Sequence, residues 1–240
     1  MQRNTHFCSA STDPIRVTTS GNASLFHGVP DWVYEEEVFG GNSALWWSPD
    51  SSKVAFLALD ETLVDEYKFP IYNPSSDADA IYPYTTDVVM KYPKPGYNNP
   101  LVSVHVFDLG RYLTNDTAIT DGFPAANATM TLDWNGRQDP KDSIIQEVAW
   151  VDNSTLIIKE INRNADDGSV IVFDLDAEVE ASRSSGRVAR RLGRDGEEGD
   201  AGWIENVREH RCGHLTLSLT VTFTEAGHIP FTAQLGRFRS

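Results

Sequence analysis

Residues 31–38 read DWVYEEEV, three consecutive carboxylates framed by a tryptophan, a tyrosine and two valines. On a strand, neighbouring side chains point to opposite faces, so Glu36 and Glu37 could not serve one ligand. On a helical turn they diverge by about 100° and can flank a single object. Asp31, after Pro30, is suited to cap such a turn, and Gly40 and Gly41 to end it. Trp32 and Phe39 lie seven apart, on one face of an α-turn, and are expected to anchor it to the core. Two adjacent carboxylates repel each other. A primary ammonium relieves that repulsion, because its three donors and full charge can satisfy both with charge-assisted hydrogen bonds. The pair therefore has the chemistry of a seat for a free amino terminus. On the residues alone, a solvated acidic surface run remains the alternative.

The elements that must position this turn are strands. The runs SKVAFLAL (52–59), LVSVHVFDL (101–109), STLIIKEI (154–161) and GSVIVFDLD (168–176) are rich in β-branched and large apolar residues and bounded by turn formers. Long periodic helices are absent, so the fold class is all-β. SVHVFDL at 103–109 repeats as SVIVFDL at 169–175, and LWWSPDSSKVAFL (45–57) has the pattern of VAWVDNSTLIIKE (148–160). The order Trp-turn-strand, then VFDL strand, thus occurs twice. Each copy is expected to be a separate antiparallel blade of a partial β-propeller, with a β-sandwich as the alternative. The first copy carries an insertion at roughly 60–100, and its Pro- and Asn-rich YPKPGYNNP (92–100) reads as a surface excursion. Residues 178–200 read as a charged loop with at most one short strand, RVARRL. The basic cluster Arg187, Arg190, Arg191 and Arg194 within it reads as solvated and not as a nucleic-acid patch.

Composition narrows the partners. The 240 residues carry a net charge of −15, which disfavours nucleic acid and anionic membrane surfaces and favours a cationic ligand. There is no apolar run long enough to span a bilayer and no signal-peptide core near residue 1. Four N-glycosylation triplets, at Asn22, Asn115, Asn127 and Asn153, favour a secretory route. Cys8 and Cys212 are taken as free thiols. His210, Cys212 and His214 alternate without a second ligand cluster, so no metal and no cofactor is expected. From residue 206 the balance changes: 1–205 carry −17 and 206–240 carry +2.

GVPDWVYEEEVFGGNSALWWSPDSSKVAFLALDET closely resembles the double-glutamate segment of the dipeptidyl peptidase IV family of serine peptidases. YPKPGYNNPLVSVHVFDL and RRLGRDGEEGDAGWIE look most like its fungal vacuolar branch. The resemblance runs over 15–205, leaving 1–14 unmatched and 206–240 as a divergent or frame-shifted tail. It implies part of an eight-bladed propeller, about three blades, with a short helical turn presenting Glu36 and Glu37 to the substrate's N-terminal amine. Asp31, Trp32, Tyr34 and Glu35 would support that pair. The activity implied is release of N-terminal X-Pro or X-Ala dipeptides, by members that often dimerise, at the vacuolar membrane or lumen. No G-x-S-x-G nucleophile elbow occurs in these residues, and no catalytic Ser-Asp-His set is assigned. The chain is therefore expected to be inactive alone. A non-catalytic propeller-type binding protein is the rival reading.

Overall fold

The computed structural model describes residues 6–7, 15–77, 79–114, 128–176, 183–197 and 202–205. The chain divides after Asn206, and the second unit, Val207–Ser240, lies outside the described residues. So do Cys8, Cys212, His210, His214, Asn115 and Asn127. In chain order the strands are β1 (His6–Phe7), β2 (Ile15–Arg16), β3 (Leu25–His27), β4 (Leu45–Trp47), β5 (Lys53–Asp60), β6 (Glu66–Ile71) and β7 (Thr86–Lys91). There follow β8 (Leu101–Asp108), helix α1 (Leu109–Thr114), β9 (Thr129–Trp134), β10 (Ile144–Trp150), β11 (Thr155–Ile161), β12 (Asp167–Asp174) and β13 (Arg183–Gly193).

The two sequence repeats become two antiparallel blades. In the first, β4 pairs β5, β5 pairs β8 and β8 pairs β9. In the second the order is β10, β11, β12, β13. The two VFDL runs fill the third place in each blade. Strand β5 is buried along both faces, and its register explains why. Ala55, Leu57 and Leu59 lie opposite Val106, Val104 and Val102, and these pairs join the main core. Val54 lies opposite Phe107 in a smaller cluster on the other face, with Phe56 and Val17. The second blade offers Leu156 opposite Phe173 and Ile158 opposite Ile171 to the main core. That core thus lies between the two blades. The insertion forms a hairpin, β6–β7, that is a sheet of its own, and residues 92–100 carry no strand.

Two expectations need correction. Residues 183–193 form a full strand, which contains the short RVARRL run and extends beyond it, so less of 178–200 is loop than expected. Arg187, Arg190 and Arg191 on this strand and Arg194 just past it are exposed, while Val188 packs against the main core. The blades are also not wholly separate. β13 extends past its partner β12, and its first residues, Arg183–Gly186, pair in parallel with Thr131–Trp134 of β9. One hydrogen-bonded path then runs β10-β11-β12-β13-β9-β8-β5-β3. Gly186 stands at this splice. A Cβ there would lie 2.5 Å from both Ile171 Cγ2 and Phe173 Cε1. We expect Gly186→Val to destabilise the chain by about 1–3 kcal/mol through this overpacking, read as a lower midpoint in denaturant with little change in slope.

The outer face of the first blade holds a half-buried histidine. His105 stacks on Phe56 at 5.3 Å, with Nε2 2.8 Å from Ser103 Oγ and Nδ1 3.1 Å from Thr131 Oγ1. Burial first, then the nearby His27 and Arg137, push its pKa down to about 4. Burial lowers His27 as well. The unfolded chain binds the proton near pH 6.5, whereas the folded chain resists it until about 4. Stability is therefore fully present above 6.5 and falls as pH drops through that window, by about 3 kcal/mol for His105 alone. Equilibrium unfolding at a series of pH values should show this acid slope, and His105→Asn should flatten it.

Candidate functional site

The acidic turn is an excursion from an edge strand. β3 pairs Ala58–Asp60 and β4 pairs Val54–Phe56, so both run along the same edge of β5. Leu57, between them, bonds both ends of the excursion. Gly28 N–H donates to Leu57 O at 2.9 Å, and Leu57 N–H donates to Ala44 O at 3.0 Å. Ala44 N–H donates to Gly28 O at 3.0 Å and closes the neck. Residues 28–44 thus leave and rejoin one strand at a single point.

Inside the excursion, residues 32–33 begin an α-turn that widens into a π-turn over Tyr34–Phe39. Asp31 caps it as expected from its type. Its carboxylate accepts from Val33 N–H and Tyr34 N–H, both at 3.1 Å, and its carbonyl accepts from Glu35 N–H at 2.9 Å. Asp31 is buried, which pushes its pKa up, while the two amide bonds oppose that rise. At the far end Gly40 adopts a left-handed φ of 62° and returns its N–H to Glu35 O. Gly41 N–H reaches the same carbonyl at 3.1 Å. A side chain with a Cβ would strain position 40.

Tyr34 is the anchor. It is fully buried, and its hydroxyl accepts from Ile145 N–H on β10 at 3.1 Å. Burial pushes its phenol well above the ordinary range. Its ring meets Phe39 at 5.5 Å, and Phe39 meets Trp46 of β4 at 5.5 Å. The expectation that Trp32 and Phe39 share a face is corrected. A turn closed i→i+5 takes more residues per revolution than an α-turn, so positions seven apart diverge. Trp32 instead packs against Tyr92, beyond β7, with ring centroids 4.8 Å apart and the planes tilted. Tyr92 in turn contacts Tyr67 of β6, whose ring lies under Lys94 Nζ at 5.0 Å. The turn is held on one side by the core and on the other by the inserted hairpin.

Glu35 is half-buried, and its carbonyl closes the turn. Glu36 and Glu37 are exposed on adjacent positions of the widened turn. The wider turn brings successive side chains angularly closer than the about 100° of an α-turn. That suits two carboxylates to one ammonium.

Between the blades lies a buried polar group that the sequence reading missed. Glu160 Oε2 accepts from Trp134 Nε1 at 2.8 Å, and Oε1 accepts from Ser143 Oγ at 2.6 Å and Gln138 N–H at 3.3 Å. Arg137 Nε lies 3.8 Å from Glu160 Oε1, and the guanidinium sits over the Trp134 ring at 4.6 Å. The available signal was phase. Glu160 continues the inward alternation of Leu156 and Ile158, where a lone carboxylate needs partners. Nothing local marked Ile145 or Tyr92.

Of the other candidates, Asn22 and Asn153 are both exposed. Asn22 Oδ1 accepts from Ser24 N–H at 2.8 Å, and Asn153 Oδ1 accepts from Asp50 N–H at 3.1 Å, joining the first turns of the two blades. Among the described residues no group of His, Cys, Asp and Glu is placed to hold a metal.

Asp31→Ala should leave two donors inside the turn without an acceptor. We expect a loss of about 1–2 kcal/mol and faster amide exchange at Val33 and Tyr34, with Asp31→Asn partly restoring both.

Comparison with known proteins places this arrangement. The family described as the dipeptidyl peptidase IV (DPP IV) N-terminal region matches residues 2–221. A probable dipeptidyl-aminopeptidase B of Tuber melanosporum (strain Mel28) is 36% identical over 200 residues, covering 82% of this chain and 20% of the relative. The protein of the same name from Ajellomyces dermatitidis (strain ER-3 / ATCC MYA-2586) is 35% identical over 207 residues, covering 84% and 20%. Among solved structures, Porphyromonas gingivalis dipeptidyl peptidase 4 superposes with a TM-score of 0.56 at 26% identity, over 78% of this chain and 22% of that one. The chain spans about a fifth of the length of these relatives.

Proposed function

We propose that this chain, which belongs to the dipeptidyl peptidase IV family through its N-terminal propeller region, supplies the seat for the substrate's amino terminus in a dipeptidyl aminopeptidase. The observation that carries the reading is the pair Glu36 and Glu37, exposed side by side on a turn that Asp31 caps and the Tyr34 hydroxyl ties to β10. An ammonium between them gains charge-assisted hydrogen bonds to both carboxylates. A peptide held by its free amine presents its second peptide bond at a fixed distance, which limits cleavage to dipeptides, here X-Pro or X-Ala. A serine-type hydrolase would supply the chemistry, and the vacuole is the proposed site of action. The partner is the peptide's own amino terminus.

The chain alone can be tested by binding. Gly-Pro and N-acetyl-Gly-Pro, titrated into labelled protein and followed by shifts at Glu36 and Glu37, should separate clearly, with the free amine tighter. Glu36→Ala and Glu37→Ala should each weaken the free-amine ligand by roughly tenfold or more, and the acetylated one little. Because both residues grip one group, the double variant should lose less than the sum. Equal binding of both ligands would return the pair to an acidic surface turn. With no nucleophile elbow in these 240 residues, they should bind a Gly-Pro amide without hydrolysing it.

A further inference from the structure

We propose that Tyr34 is a positioning residue for the glutamate pair: its hydroxyl, fixed on the second blade, holds the turn in its widened π register and so sets the angle between Glu36 and Glu37. The inference rests on the amine-seat reading for its functional consequence, but its structural half stands on the geometry alone.

A π-turn is a rare arrangement that needs support from outside itself. Here the support comes at two fixed points. Tyr34, the first residue of the π-turn, is pinned by its hydroxyl to Ile145 N–H. Ile145 belongs to β10, the terminal strand of the sheet path, so the tyrosine oxygen takes a donor at that strand. At the other end Gly40 and Gly41 both return their N–H groups to Glu35 O. The backbone between is held across a span that suits i→i+5 closure. Asp31 O already accepts from Glu35 N–H in the tighter α pattern, so the chain changes register at Tyr34 itself. Freed from Ile145, the turn can relax to the commoner α register, which rotates Glu37 further from Glu36. The tyrosine thereby ties the seat to the interface between blades, 111 residues away in sequence from its partner.

Tyr34→Phe removes the oxygen and keeps the ring against Phe39. The control is Ile158→Val, a core change on β11 that lowers stability and leaves the Tyr34 hydroxyl and its Ile145 donor in place. Two measurements are made on the whole chain. One is exchange of the Gly40 amide. The other is the ratio of Kd values for N-acetyl-Gly-Pro and Gly-Pro. The proposal expects Tyr34→Phe to speed Gly40 exchange well beyond the control and to cut the free-amine preference by roughly three- to tenfold, on the scale of one lost hydrogen bond, while the control keeps the preference. If Tyr34→Phe matches the control in both measurements, the positioning role is overturned. If the unaltered chain has no free-amine preference but Tyr34→Phe still exposes Gly40, the register role stands and the amine seat alone falls.

Discussion

Leu57 gives its carbonyl to Gly28 and its N–H to Ala44, and almost everything distinctive in this molecule depends on that double bond. A strand residue has one donor and one acceptor, and its neighbour normally satisfies both from a continuous strand. Here the neighbour is interrupted, and the two bonds go to the two ends of a loop. The ladder therefore loses nothing where the loop emerges. β3 and β4 keep the edge of β5 covered, and residues 28–44 project from it with both feet fixed. A short acidic turn on a flexible loop would spread its carboxylates to relieve repulsion. One mounted on a closed neck has far less freedom to do so.

The second constraint is that the acidic turn belongs to neither blade alone. The neck is bonded to β5 in the first blade, and Tyr34 is bonded to β10 in the second. Trp150 Nε1 reaches Trp46 O at 3.0 Å and ties β10 to β4. Between the blades, Glu160 is almost fully buried, and its oxygens are met by Trp134, Ser143, Gln138 and Arg137. A buried charge with this many partners contributes more to a single defined arrangement than to net stability, because its desolvation cost offsets much of its attraction. The blades are thereby fixed against each other, and the turn with them.

The inserted hairpin gives the site a third wall. Trp32 leaves the core and packs against Tyr92, so the start of the turn is fixed by a segment that is otherwise exposed. Aromatic contact of this kind adds rigidity without adding charge near the carboxylates. The acidic pair is left as the exposed, chemically distinctive feature of an otherwise braced element, in a chain whose net charge of −15 already draws cations.

The sequence by itself determined what nearest neighbours decide. Asp31 before a helical start, Gly40 at its end, and the repeated VFDL strands were legible because a cap, a left-handed residue and a two-residue alternation each act within a few positions. The residue types at Glu36 and Glu37 likewise stated their chemistry, and their setting in DWVYEEEV carried the family. Only the tertiary structure decided that the turn is a π-turn and that Trp32 and Phe39 part company. It alone brought Glu160 and Arg137 together between the blades and gave Tyr34 to Ile145. It also spliced β13 onto β9 through Gly186. Those outcomes are set by which surfaces meet across many tens of residues, where pairing leaves no periodic mark. A hydroxyl bonded to a backbone N–H leaves none at all, since every residue except proline offers the same donor.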